Sequence, residues 1–172
     1  MNRPWGAYRP DRWQKLLVNL CRHTSLGRGR ARRFVRDRLV SSHLDTVDFE
    51  FPFAKFRLSL TGNACEWKLL LNSGYNRKES QFIRDELLKQ PQGVRVFVDI
   101  GANVGMHTLA VHEYCDRILA IEPLDEAREK LEFNVSVNNA YDRITIIPFA
   151  ISSNNEILRD LAVISMISAD PI

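Results

Sequence analysis

Residues 97–110 read FVDIGANVGMHTLA: an apolar run, an aspartate, two glycines four positions apart, and then a segment of helical composition. With the residues just before it, VRVFVDI (94–100) is dense in β-branched side chains. It is too apolar for a half-exposed strand and predicts a parallel strand covered on both faces. A helix is expected from about residue 104 to 114, followed by the strand RILAIEP (117–123). LDEAREKLEFNVSVNN (124–139) then reads as a helix, with Leu124, Ala127, Leu131 and Val135 on one stripe and acids in its first turns. RITIIPFAI (143–151) is a third strand. The alternation of strand and helix specifies a parallel α/β layer with right-handed connections.

In such a layer ligands bind beyond the carboxyl ends of the strands, where residues 99–105 lie. Gly101 permits a sharp turn and a close approach of ligand to bare backbone, and Gly105 lets the helix start press against the strand. The free N–H groups of that helix start suit an anionic group. Glu122 closes the second strand 21 residues after Gly101. That is the place of an acid accepting hydrogen bonds from the two ribose hydroxyls of a nucleoside cofactor. Pro123 ends the strand and fixes the approach of the carboxylate. A dinucleotide fingerprint carries a middle glycine where this chain has Asn103, and Asp99 would sit badly beside a pyrophosphate. Asp99 suits a cationic ligand, and S-adenosylmethionine carries both an ammonium and a sulfonium. The charge argument therefore favours the methyl donor over NAD.

Three stretches, VFVDIGANVGMHTLA, ILAIEPLDEAREKLEFNVSVNN and RITIIPFAIS, closely resemble the FkbM-type methyltransferases. These are S-adenosylmethionine-dependent enzymes, mostly O-methyltransferases of saccharide or natural-product hydroxyls. The resemblance is strongest over residues 94–156 and extends weakly back to about residue 48. It implies that Asp99, Gly101, Asn103 and Gly105 form the cofactor loop and that Glu122 binds the ribose. It also implies Tyr75 and Glu79, in the stretch after Gly74, as residues closing over the methionine end. Tyr75 reads equally well as an aromatic packing tip. His107 could serve a hydroxyl as general base, but one turn into the helix it is expected to pack or cap; His112 is expected at the surface. No catalytic residue and no metal site is assigned.

The expected fold is an incomplete Rossmann-like methyltransferase layer preceded by a helical and β-hairpin region. Four segments follow: a basic helical region (1–46), a strand pair with a lead-in helix (47–93), the S-adenosylmethionine-binding half (94–157) and an atypical tail (158–172). In the first, Trp13, Leu16, Leu17 and Leu20 recur at helical spacing, as do Ala31, Phe34, Val35 and Leu39 after the Gly27–Gly29 break. Residues 1–38 hold eleven Lys/Arg against two Asp, whereas the remainder holds thirteen against nineteen acids. GRGRARRFVRDR (27–38) reads as a solvated helix with Phe34, Val35 and Leu39 turned inward, or as an arm for nucleic acid or an anionic membrane. Nucleic acid is disfavoured. VDFEFPF (47–53) and KFRLSL (55–60) predict two strands, the first an edge strand because of Pro52. A helix over residues 78–89 is expected to bury Phe82, Ile83, Leu87 and Leu88.

No apolar run reaches the length of a bilayer span, and three widely spaced cysteines fit reduced thiols in a cytoplasmic protein. The family's sheet continues to a fourth parallel strand with an acidic motif, where this sequence reads EILRDLAVISMISADPI (156–172). The expectation is a truncated or frame-altered product, weakly active or inactive alone, with an unpaired apolar edge at VRVFVDI. The tail, a protein partner or self-association would complete that edge. A non-catalytic module keeping the cofactor fold and a basic-arm nucleic-acid binder are the alternatives to a methyltransferase acting on a small-molecule or saccharide acceptor.

Overall fold

Three parallel strands form the sheet around the glycine turn: β3 (Val96–Ile100), β4 (Arg117–Ile121) and β5 (Ile144–Ile147), in the order β3-β4-β5. The computed structural model describes residues 3–151, apart from residues 28, 43 and 74. Val98 lies beside Leu119, and Leu119 beside Thr145. Helix α5 (Met106–Val111) joins β3 to β4, and α6 (Asp125–Val137) joins β4 to β5. Alternation along each strand gives the sheet two faces. Phe97, Asp99, Ile118, Ala120, Ile144 and Ile146 share the face under the helices, where Ile118 and Ala120 are fully buried.

The opposite face corrects the sequence expectation. Val96, Val98 and Ile100 are exposed to 54%, 46% and 66%, so β3 is covered on one face only. Its β-branched composition anticipated two covered faces, but β3 is also the edge strand of the described sheet. Among the described residues, a strand at that position has neither a neighbour on its outer side nor a layer over its second face. The tail invoked to cover that edge falls on residues 152–172, outside the described residues.

Ahead of the sheet, β1 (Thr46–Glu50) and β2 (Lys55–Ser59) pair antiparallel, with Val47 opposite Leu58 and Phe49 opposite Phe56. Pro52 sits in the turn between them rather than in a strand; there its missing N–H is harmless. Phe49, Phe51, Phe53 and Phe56 pack ring on ring around that turn, with centroids 5.0–5.9 Å apart. Helix α3 (Ala64–Leu71) follows, capped by Asn63, whose Oδ1 accepts from Cys65 N at 2.9 Å. No helix was expected here. Eight residues with the continuous run Leu69–Leu70–Leu71 give no helical period, because the helix is buried nearly all round.

The basic N-terminal region forms α1 (Arg12–His23) and α2 (Gly29–Ser41). Asp11 and Gln14 make a reciprocal capping box at the start of α1. The buried face of α1 is Gln14, Val18 and Cys21, while Trp13, Leu16 and Leu20 are exposed. In α2, Val35 and Leu39 are buried as expected, but Phe34 points to solvent. Helix α4 (Arg77–Leu88) buries Leu87 and half-buries Ile83, leaving Phe82 and Leu88 exposed. In each case periodicity found the helix and misjudged how much of its apolar stripe meets the core.

A buried ion pair ties the pieces together. Asp48 and Arg57, 3% and 2% exposed, meet across the hairpin at 2.7 and 3.0 Å. Asp48 also accepts from Gly6 N and Tyr8 N, and Arg57 donates to the carbonyls of Arg3 and Pro4. The guanidinium lies between two rings, 4.8 Å from the Tyr8 centroid and 3.8 Å from that of Phe133 on α6. The two charges face each other and four of the five guanidinium N–H groups donate to Asp48, Arg3 and Pro4, the kind of matching under which such a buried pair is tolerated.

Candidate functional site: the glycine turn after the first parallel strand

The turn between β3 and α5 doubles back three times through left-handed backbone, at Gly101 (φ +77), Asn103 (φ +51) and Gly105 (φ +87). Glycine reaches these angles without a steric cost, and Asn is the side chain that tolerates them best. Gly101 N and Ala102 N both donate to Ile121 O at the end of β4, at 2.9 and 3.0 Å. A Cβ built on Gly101 would meet nothing within 4 Å, so its glycine requirement lies in the backbone angle and the space beside it stays open. A Cβ on Gly105 would stand 2.6 Å from Leu131 Cδ1, so here the turn presses against α6.

Glu122 holds this turn from the neighbouring strand. Its carboxylate, 5% exposed, accepts from Asn103 N at 2.8 Å and from Leu124 N at 2.9 Å. An ionised carboxylate has about four lone-pair positions, so two remain after those bonds. Asn103 Oδ1 is buried and has no hydrogen-bond partner among the described residues. An orphan acceptor next to a half-used carboxylate fits a ligand that presents donors, such as vicinal hydroxyls or an ammonium.

Asp99 serves α5 directly. Its Oδ2 accepts from Thr108 N at 3.0 Å and Thr108 Oγ1 at 2.5 Å; Thr108 is fully buried and Asp99 8% exposed. An N–H of the helix start, which sequence reasoning offered to an anion, is thus already taken by the protein's own carboxylate. Two carboxylates thus flank the turn, Asp99 bonded to Thr108 of α5 and Glu122 bonded to Asn103 and Leu124.

Tyr75 and Glu79 lie at the start of α4, and the structure puts them to different uses. Tyr75 is half-buried against the core, and burial together with the neighbouring Cys65 thiol pushes its phenol well above the ordinary value of 10.0. Glu79 is exposed. The contact between α4 and the glycine-turn helix runs through His107, which lies 3.1 Å from Asn76 Nδ2 and 3.4 Å from Ser80 Oγ. Nε2 faces the Asn76 amide and Nδ1 faces the Ser80 hydroxyl. Both nitrogens are engaged, and His107 packs and links rather than standing free as a base. His112 is half-buried, with Nδ1 2.8 Å from Leu109 O.

Sequence reasoning missed Thr108 and Asn134. Asn134, fully buried on α6, accepts from Arg57 N at 2.7 Å and donates to Val104 O at 2.9 Å. It joins the hairpin to the glycine turn through one amide. Asn138 repeats the motif one turn on, pairing with both backbone groups of Lys55. The available signal was a polar residue inside the Leu131–Val135 stripe, which a purely apolar reading of that stripe passes over.

No family model matches the chain, and no curated protein matches it. Several solved structures resemble it. A SAM-dependent methyltransferase from Agrobacterium tumefaciens has a TM-score of 0.49 at 8% identity, over 60% of this chain and 32% of its own. Methanocaldococcus jannaschii Trm5 in complex with adenosine gives 0.42 at 17% identity, over 60% and 29%. P. horikoshii TYW2 in complex with MeSAdo gives 0.43 at 17%, over 62% and 36%. The matched part thus spans between 29% and 36% of the length of these proteins. At such identities the fold assignment rests on the order and register of the sheet itself, a Rossmann-like parallel half-layer whose first strand lies at the edge.

Proposed function

We propose that this chain is a methyltransferase of FkbM type that holds S-adenosylmethionine at the β3–α5 turn and serves an acceptor hydroxyl of a saccharide or natural product. The observation that carries the reading is the pair of carboxylates flanking the turn. Asp99 occupies the first turn of α5, and Glu122 anchors the loop while keeping acceptor capacity. A dinucleotide brings a pyrophosphate to that place and is repelled; a methyl donor brings hydroxyls, an ammonium and a sulfonium. When bound, it supplies an electrophilic methyl carbon.

The chain's own residues then have distinct tasks. Glu122 orients the ribose hydroxyls while pinning Asn103 N. Asn103 offers its orphan Oδ1 to a ligand donor. Gly101 leaves the approach open, and Asp99 holds the helix start and biases the site toward cations. Tyr75, braced on Cys65, and Glu79 border the methionine end from α4. Methyl transfer requires nucleophile and methyl carbon in line at near contact, so an acceptor wall must stand on the outer side of β3. Such a wall comes from outside residues 3–151, through further chain, a partner protein or a second copy.

The test is calorimetric titration of the purified chain with S-adenosylhomocysteine and, separately, with NAD. Binding of the first, its loss in Glu122→Ala and no binding of NAD are expected. Equal or tighter binding of NAD would falsify the reading.

A further inference from the structure

The N-terminal helices carry a second surface that methyl transfer does not use. Helix α1 turns Gln14, Val18 and Cys21 to the core and leaves Trp13, Leu16 and Leu20 exposed to 59%, 58% and 45%. Spaced at i, i+3 and i+7, these three form one stripe along the helix. Exposed Arg12 and Lys15 border it, and α1 contains no acidic residue. Helix α2 carries similar side chains: Phe34 is 73% exposed, with exposed Arg30 and Arg38 one turn to either side and, at i+3, Asp37 paired with Arg36. The fold holds α2 in place, since the guanidinium groups of Arg32 and Arg36 lie 5.1 and 5.2 Å from the Trp67 ring centroid.

We propose that this surface docks on an anionic lipid bilayer. Large apolar side chains set in a cationic surround match the two layers of such an interface. Tryptophan and leucine enter at headgroup depth, while Arg and Lys meet the lipid phosphates and carboxylates. Charge complementarity selects the occupant. A nucleic acid satisfies the cations and leaves the leucines in water; an apolar protein groove satisfies the leucines and leaves the cations unmatched. The bilayer takes both. The chain then works as a peripheral membrane protein.

Flotation of the full chain with vesicles tests this, comparing phosphatidylcholine alone with phosphatidylcholine mixed with phosphatidylserine. Binding is expected to the mixed vesicles only and to weaken as salt is raised. Leu16→Ser with Leu20→Ser should cut partitioning by about tenfold or more, since exposed side chains are removed from the acyl boundary. Arg12→Gln and Lys15→Gln should each cost about fivefold. Circular dichroism of the variants should match the parent, because all four side chains are exposed. No binding of the folded parent to mixed vesicles overturns the proposal. So does binding that survives the double leucine substitution. A single-stranded RNA that binds equally to parent and leucine variant, with vesicles ignored, would assign the surface to nucleic acid instead.

Discussion

Glu122 is the residue on which the turn depends, because it accepts two backbone N–H groups that have no other partner of comparable strength. Glu122→Ala leaves both donors unmatched, at about 1–3 kcal/mol each, and chemical denaturation should register that loss with no ligand present. Asn103 behaves in the opposite way. It sits in left-handed backbone with a buried, partnerless amide oxygen. Asn103→Gly should therefore stabilise the free chain by about 1 kcal/mol while weakening S-adenosylhomocysteine binding. A variant that gains stability and keeps full affinity would show the amide to be unrelated to the ligand. The thiols provide a pH test. Burial, with Asp116 beside it, pushes Cys115 up to about 11 from the ordinary 9.0. The folded state thus keeps the proton longer than the unfolded one. The resulting stability is whole below pH 9, is lost as pH rises toward 11, and should be lost less steeply in Cys115→Ala. Labelling with a thiol reagent at pH 8 should find exposed Cys65 fast and buried Cys21 and Cys115 slow. At this scale the sequence identified Asp99, Gly101, Gly105 and Glu122 as one unit, because glycines and an acid at fixed spacing leave a local mark. What it could not show was that Asp99 spends its carboxylate on Thr108, nine residues away around a helical turn.

Elements were legible where their period was long and illegible where their partner was remote. Helix α6 and strands β4 and β5 follow from alternation and from Pro123 after the strand end. That α6 also grips the hairpin could not be read, since Asn134 finds Arg57 N across 77 residues of chain. Asn134→Leu fits the volume but strands a buried N–H and a buried carbonyl. A destabilisation of about 2–5 kcal/mol is expected, measured by urea denaturation, with loss of ligand affinity because Val104 O is released from its tether. If the variant is as stable as the parent, the amide bridge carries nothing. Helix α1 shows the other kind of failure. Its apolar residues spread over more than half the helix circumference, so spacing fixes the helix but leaves open which part meets the core.

For the molecule as a whole, the Asp48–Arg57 pair and the open side of the sheet mark the two extremes of burial. Arg57→Ala removes one member of a buried pair, three further contacts at the chain start and one with Phe133 on α6, and should cost about 3–5 kcal/mol; thermal denaturation would register this as a clear fall in Tm. The face around Val96, Val98 and Ile100, open among the described residues, predicts concentration-dependent association, since an apolar face beside an edge strand invites a second chain. Val98→Lys should reduce that association in sedimentation experiments while leaving stability within about 0.5 kcal/mol. A large loss of stability instead would mean that another segment of the chain covers this face. The parallel half-layer itself was legible throughout, because strand and helix periods alternate cleanly from residue 94 onward. The single-sided cover of β3 was not, since composition records how apolar a strand is and not what stands next to it.

Hydrogen exchange with mass spectrometry in the presence of S-adenosylhomocysteine tests most directly whether the β3–α5 turn and Glu122 together hold a methyl donor. The predicted result is slowed exchange confined to residues 101–105 and 122–124, absent in Glu122→Ala. Unchanged exchange across those residues in a folded sample at saturating ligand, or protection that appears only elsewhere in the chain, would contradict it.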